Sequence, residues 1–270
     1  ENHWITDYNA TLALHEEAAE AAKLCADFNE MERFIQLVLK FAKTILDKIK
    51  VYEIKIQAYM VQNLPQKAVE TMLLVLELFE IKWSISPNFA QFKIEQLKTR
   101  TALIGKKPER LLQLPEMKDP EALAIIRILV AGGYSTLVAC PELMPLIGLK
   151  SVQLSIKYGN SPQISTAAYA CYGWVLSGVM GDVDEGYQFG QLAINLMEQS
   201  KITEAIFAKT HVFTESFFTH RKKHICETLD LLLSAYHFGL ETGDANYARH
   251  AFNTYVNHAY LGGKPLLVLE

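Results

Sequence analysis

Glycine and proline are scarce, at 14 and 9 of 270 residues, roughly 9% together against a usual ~12%. That scarcity excludes a collagen-like chain, a disordered one and a many-turned β-sandwich. Cysteine is sparse too. Cys25, Cys140, Cys171 and Cys226 lie far apart with no C-x-x-C pair, so reduced thiols in a cytoplasmic setting are expected rather than a disulfide framework. Charge of one sign is missing. A formal net charge of −4 and a pI near 6.1 give no footprint for a nucleic acid duplex or an anionic membrane surface. The first residues, Glu1-Asn2-His3-Trp4, show no basic segment ahead of an apolar core, so no signal peptide is expected. A chain that starts on Glu1 is expected to be cut from something larger. Long apolar runs are also lacking. The most membrane-like stretch, Ile128 to Cys140, is interrupted by Gly132-Gly133 and shorter than the ~20 residues of a spanning helix, so a buried helix followed by a turn is expected.

What is present is helical periodicity. Between Glu30 and Lys48, residues Phe34, Leu37, Val38, Phe41, Ile45 and Ile49 follow the spacing of one buried helix face. Tyr52, Ile56 and Tyr59 do the same in the next segment. No stretch alternates with period two for long enough to predict a strand. Helices stop and restart at Asp27-Phe28-Asn29, Asn63-Leu64-Pro65, Gly105-Lys106-Lys107-Pro108, Cys140-Pro141, Gly181-Asp182 and His220-Arg221, about 35 to 41 residues apart. Weaker breaks lie between them, at Ser86-Pro87, Pro115 to Pro120, Gly159 to Pro162 and Ser200-Lys201. One helix-turn-helix unit fits each interval, and such a hairpin buries both faces only by stacking on neighbours. The fold predicted is all-α, an α-solenoid of about six to seven stacked hairpins treated as one domain over residues 1–270. The turns agree: Gly181 and Gly243 suit left-handed helix ends, the acids that follow suit helix starts, and Pro65 and Pro108 sit at first helical positions. Small residues, Ala18, Ala19 and Ala22 in one helix and Gly173, Ser177 and Gly178 in another, predict close helix crossings.

Chemistry-bearing motifs are weak. No P-loop, dinucleotide fingerprint, nucleophile elbow, metalloprotease helix or kinase catalytic loop occurs. His220 and His224, an i, i+4 pair with Cys226 close behind, have zinc-ligand spacing. Arg221, Lys222 and Lys223 surround them with positive charge, and a polar helix start is the plainer account. His250 and His258 share a helix and read as core or groove histidines. Glu16-Glu17 and Asp182-Asp184-Glu185 read as caps and solvated acids rather than an acid/base pair. Asn9-Ala10-Thr11 is a formal glycosylation sequon of no consequence without secretion. Aromatics gather near one hairpin: Tyr169, Tyr172, Trp174 and Tyr187, with Phe189 beside them. The four, with Tyr169 and Tyr172 three apart on a first helix, are candidates to line a partner groove, with helix-packing core as the default reading. No catalytic residue, metal or cofactor is expected.

Gly181-Asp182 followed by Gly186 and Ala193, Gly243-Asp244 with Ala248 and Phe252, and Ala26-Asp27-Phe28 behind Ala18 and Ala19 resemble tetratricopeptide repeats, with units near 38 residues against that family's 34. The strings Leu114-Pro115-Glu116-Met117, Tyr158-Gly159-Asn160-Ser161-Pro162, Gly186-Tyr187-Gln188-Phe189-Gly190 and Gly239-Leu240-Glu241-Thr242-Gly243-Asp244 are similar to the helical-repeat region of very large signalling proteins, best known in cyanobacteria. Those proteins join a serine/threonine kinase domain, an AAA-type ATPase, this kind of array, a GAF sensor and often a histidine kinase. The resemblance implies a non-enzymatic regulatory scaffold that binds a protein, a peptide or a neighbouring domain of its own chain, without nucleic acid or membrane insertion. The alternative is a small-molecule sensor, with a pocket around Tyr158 to Trp174, that releases an attached ATPase or kinase.

Overall fold

The structure is a computed structural model that describes residues 2–199 and 203–265. The predicted break at Ser200-Lys201 lies outside the described residues. Fourteen α-helices are described: α1 Asn2–Thr6, α2 Tyr8–Leu24, α3 Phe28–Phe41, α4 Ile49–Val61, α5 Pro65–Leu78, α6 Phe89–Leu103, α7 Pro108–Leu111, α8 Pro120–Ala139, α9 Met144–Tyr158, α10 Pro162–Trp174, α11 Val183–Gln199, α12 Thr203–Phe217, α13 Leu229–Glu241 and α14 Ala245–Leu261. No strand occurs among the described residues; the sole β-type pairing there is an isolated parallel bridge between Glu116 and Asn160. The fold class is all-α.

One turn recurs. A residue with positive φ ends the first helix of a pair, and the next residue donates its amide to a carbonyl five residues back. Ala26 (φ 57°), Asn63 (φ 58°) and Gly243 (φ 75°) take that left-handed position. The amides of Asp27, Leu64 and Asp244 then reach Ala22, Tyr59 and Gly239 at 2.9, 2.8 and 2.7 Å. Such bonds satisfy carbonyls that a helix end would leave orphaned. The side chain of Asp27 caps the following helix by accepting from the Glu30 amide at 3.1 Å, and proline at the first helical position opens α5. Predicted breaks at Asp27, Asn63 to Pro65, Gly181-Asp182 and Gly243-Asp244 are therefore turns inside the pairs α2/α3, α4/α5, α10/α11 and α13/α14.

The sequence reading treats residues 1–270 as one array; by packing, the described helices group into two compact units. Unit 1 holds the residues up to Asn88 and Asp119–Met144. Its core gathers Trp4, Ala19, Met31, Ile35, Val38, Val51, Ile54 and Ala58. The face of α3 is the predicted one in part: Val38 is in the core, and Phe34 and Phe41 pack against it. Met31, Ile35 and Val38 are buried, Phe34 and Leu37 lie at the margin, and Ile45 is exposed. The helix also stops at Phe41, because the Asp47 carboxylate collects the Tyr8 hydroxyl at 2.5 Å and the Lys43 and Thr44 amides at 3.1 and 3.0 Å. Helix α4 is buried on several sides, packing against α2, α3, α5 and α8.

Helix α8 is the buried helix expected around Ile128, followed by the turn at Cys140-Pro141, and it is longer than the apolar run suggests. Gly132-Gly133 do not interrupt it, and its twenty residues are long and apolar enough to cross a membrane by length and composition. Just over half of that apolar window is buried inside unit 1. A Cβ on Gly132 would stand 2.4 Å from Met72 Sδ, so glycine lets α8 press onto α5. Arg127 on α8 forks onto the Glu53 carboxylate of α4.

Unit 2 holds Phe89–Lys118 and the residues from Pro145 onward. Helices α10 and α11 pair, α13 and α14 pair, and α12 packs against both pairs. Helix α6 is tied to α9 through Thr99 Oγ1 donating to the Leu149 carbonyl at 3.3 Å and Gln153 Nε2 donating to Glu95 Oε2 at 3.0 Å.

Candidate functional site around the π turn

The candidate region of unit 2 begins where α10 ends. After Trp174 the chain widens into one π-helical stretch, Val175–Val179. Such insertions are rare and recur at functional sites. The extra residue shifts the recurring turn by one: the Asp182 amide, after left-handed Gly181 (φ 78°), reaches back six residues to Leu176 at 2.9 Å. The Asp182 side chain then accepts from the Glu185 amide at 3.0 Å and opens α11. Widening also turns the Ser177 carbonyl away from the helix ladder, and Arg221 Nη1 donates to it at 2.9 Å. Ser177 Oγ is buried with no hydrogen-bond partner.

Glycines set how closely the helices meet. A Cβ on Gly173 would stand 2.7 Å from the Gly186 carbonyl oxygen, and the reverse distance is the same. Phe218, fully buried, is wedged against Gly190 on one side and Gly173 on the other. The predicted close crossing at Gly173 and Ser177 is present, whereas Gly178 is exposed beside the Trp174 indole.

The four candidate groove residues divide. Tyr169 and Tyr172 are buried and pack on Phe189, with ring centroids 6.2 and 4.7 Å away. Burial pushes both phenols well above their ordinary pKa. Neither presents surface to a partner: they are the helix-packing core of the default reading. Trp174 and Tyr187 are half-buried, and Trp174 turns to Phe217 of α12 at 5.8 Å. In the span Tyr158 to Trp174, named for the alternative sensor pocket, Asn160, Ser165, Thr166, Ala168, Tyr169 and Tyr172 are buried.

Asn160 is the residue that spacing alone does not reveal. It is buried and uses every polar group it has. Nδ2 donates to the Leu111 carbonyl at 2.7 Å, Oδ1 accepts from the Tyr169 hydroxyl at 2.8 Å, the backbone amide donates to Pro115 at 2.8 Å, and the carbonyl accepts from Met117 at 2.8 Å. Gly159 beside it (φ 102°) would place a Cβ 2.2 Å from the Pro115 oxygen. Two of the strings that carry the resemblance, 114–117 and 158–162, are therefore bonded to one another.

A second polar cluster closes the far side of α12. Glu215 is 1% exposed. Its Oε1 accepts from Thr214 Oγ1 at 3.1 Å and lies 3.4 Å from His211 Nδ1, while Oε2 has no partner. His220 Nδ1 lies 3.3 Å from the Glu215 carbonyl oxygen, and its ring meets that of His258 at 5.2 Å. Thr228 Oγ1 donates to the Ile225 carbonyl, so at 2.7 Å it accepts from His258 Nδ1, which fixes the proton on that nitrogen. Burial, then the neighbouring His220, hold the His258 pKa below its ordinary value against the opposing Glu215 carboxylate. A carboxylate this deep meets no solvent-borne reactant. Its partners hold α12, α14 and the 219–228 segment in register.

The plainer account of His220 and His224, a polar helix start rather than a zinc-ligand pair, is the one that the chain adopts. His220 lies on the short helical turn Thr219–Arg221, and His224 precedes a second one, Ile225–Thr228. His224 caps the second of these, its Nδ1 accepting from the Cys226 amide at 3.3 Å and its own amide donating to Glu227 at 3.1 Å. Cys226 Sγ faces the Gly262 carbonyl at 3.6 Å. Among the described residues no group of three His, Cys, Asp or Glu has metal-binding geometry. His250 and His258 both lie on α14, His250 against Phe217. The acids Glu16 and Glu185 are half-buried, and burial raises the pKa of each.

Over 142 residues, 52% of this chain, the sequence is 28% identical to the hybrid signal transduction histidine kinase G of Dictyostelium discoideum. The chain spans 4% of that protein's length. No family model matches the chain, and no solved structure matches it.

Proposed function

We propose that this chain is a non-catalytic, partner-binding segment of a larger histidine-kinase-type signalling protein, built from stacked TPR-like hairpins. The observation that carries the reading is the half-chain similarity to a hybrid histidine kinase, a protein about twenty-five times the span of the match and thus mostly other modules. The repeated left-handed turn at Ala26, Asn63, Gly181 and Gly243 supports the repeat reading, since one turn reused along a chain is what stacked helical hairpins require. Half-exposed Trp174 and Tyr187 are the aromatic side chains of the region available to a bound segment, and the rigid glycine crossings behind them hold that surface in place.

The test is autophosphorylation of the full-length parent with and without residues 1–270. Activity that rises, or that no longer responds to its stimulus, is the expected result of deleting a regulatory segment. Unchanged activity and unchanged response would overturn the regulatory part of the reading.

A further inference from the structure

Unit 1 carries an open groove of about 420 Å³ between the outer face of α5 and the chain that follows it, within the size range of ligand-binding clefts. Its apolar lining is Leu73 and Leu74 from α5, with Ile81, Trp83 and Ile85 from the following segment. These are not core residues: Leu74 is 51% exposed, and Leu78, one turn on, is 41% exposed. Apolar side chains gathered along one exposed face mark an interaction surface more often than leucines scattered singly.

The charges say what kind of partner fits. Glu70 and Glu77 stand two turns apart on α5 with Leu73 and Leu74 between them, and both line the groove. Glu80 follows at once, and the last turn of α5 carries no basic residue. Carboxylates at a helix C-terminus oppose the negative end of the helix dipole, where cations are favoured. Lys82 is the cation among the lining residues, so acids outnumber it. A cation brought by a partner relieves both the mutual repulsion of the acids and the conflict of Glu77 with the dipole. The described residues offer no strand edge to pair with an extended peptide, so the occupant satisfies its backbone internally, as a helix does.

We propose that this groove receives the apolar face of a basic amphipathic helix from a partner protein, its leucines on Leu73, Leu74 and Trp83 and its lysines or arginines, two turns apart, against Glu70 and Glu77. This deepens the partner-binding reading and rests on it.

The probe is a fluorescein-labelled peptide of about fourteen residues, enough for four turns, with leucines on one face and lysines two turns apart. Its anisotropy is titrated against the chain, with Trp83 emission followed in parallel and Trp83→Phe as the signal control. The expected result is saturable binding with a blue shift of Trp83 emission, weakened about tenfold or more by Leu74→Glu and by Glu70→Lys with Glu77→Lys. Added salt weakens it, and a peptide with glutamate in place of lysine restores binding to the charge-reversed chain. Leu74, Glu70 and Glu77 are exposed, so these variants fold. Binding that survives Leu74→Glu and the charge reversal overturns the groove while leaving partner binding intact. No binding to the unaltered chain at about 100 μM also overturns it, and the deletion experiment on the parent still decides the regulatory reading separately.

Discussion

Replacing Gly190 by alanine sets two effects of opposite sign against each other. Helix propensity alone favours the change by about 1 kcal/mol, because glycine inside a helix is that much worse than alanine. The packing says otherwise. A Cβ at this position would stand 1.9, 2.6 and 3.0 Å from Cε2, Cζ and Cδ2 of Phe218, whereas carbon atoms rest at about 3.5–4.0 Å. The ring would have to retreat by more than an ångström. It has no room, because Phe218 is fully buried and its Cε1 already lies 3.3 Å from where a Cβ on Gly173 would be. Overpacking of this severity costs about 3 kcal/mol or more, so the net expectation is a loss of about 2 kcal/mol. The assay is urea unfolding followed by Trp174 emission in a Trp4→Phe, Trp83→Phe background, which reports on unit 2 alone. Phe218→Leu should destabilise alone yet cost less in the Gly190→Ala background, with a coupling of about 1 kcal/mol or more. A neutral or stabilised Gly190→Ala, or strict additivity of the pair, would refute the wedge argument.

Ala26 holds a left-handed backbone that glycine adopts without penalty, so Ala26→Gly should stabilise unit 1 by about 0.5–1 kcal/mol, read as a higher urea midpoint; a drop would mean that the strain is absent. His250 and His258 have pKa values held below 6.5, by burial first and then by Arg249 and His220 respectively. The unfolded chain therefore takes up more protons as pH falls below about 6.5, and stability is lost in that direction. Urea midpoints between about pH 7.5 and 5.5 should fall, and His258→Gln, which can still donate to Thr228, should flatten the slope. Burial pushes the Cys171 thiol up to about 12, and Cys140 is also buried while Cys25 is exposed. Ellman's reagent should thus label Cys25 at once and Cys140 and Cys171 only on unfolding; prompt labelling of Cys171 would contradict its packing.

Much of the helical punctuation is legible in the sequence because it is local. Asp27, Pro65, Gly181-Asp182 and Gly243-Asp244 each act within one turn of chain, through a cap, a fixed φ or a left-handed end. Faces are less legible. Periodicity assigns Phe34, Leu37 and Val38 to the buried side of α3; Val38 is buried and Phe34 packs on the core, but tertiary neighbours add Met31 and Ile35, and Asp47 ends the helix by gathering donors from three residues. Gly132-Gly133 interrupts the apolar run of an expected buried helix, but that Gly132 is where Met72 packs shows only in the structure. His220 and His224 have the spacing of a zinc pair, but the polar helix start read there as the plainer account is what forms, with His224 as its cap. Asn160 is beyond such rules altogether. A single polar residue in a turn such as Asn160 is a hint, but the carbonyl it meets belongs to Leu111, far back in the chain; His211 and Glu215 do stand at i, i+4 on α12, and what the sequence hides is how deeply that pair is buried. The π stretch at Val175–Val179 leaves no compositional trace.

The path of the backbone between the units has a consequence for how the chain is made. It leaves unit 1 after Asn88, returns to it at Asp119 to supply α8, and leaves again after Met144. Neither unit is a continuous stretch, so a gene fragment ending at Asn88 encodes α5 without the helix that covers Met72. On the ribosome, α6 and α7 emerge before unit 1 can be completed and before any of the helices they will pack with in unit 2 exist. The nascent polypeptide must carry two unfinished cores at once. Only when Asn160 arrives to bond Pro115 and Met117 is the excursion through α8 closed off at its base, which makes the interval from Phe89 to Asn160 the stretch of synthesis most exposed to misfolding and to proteases.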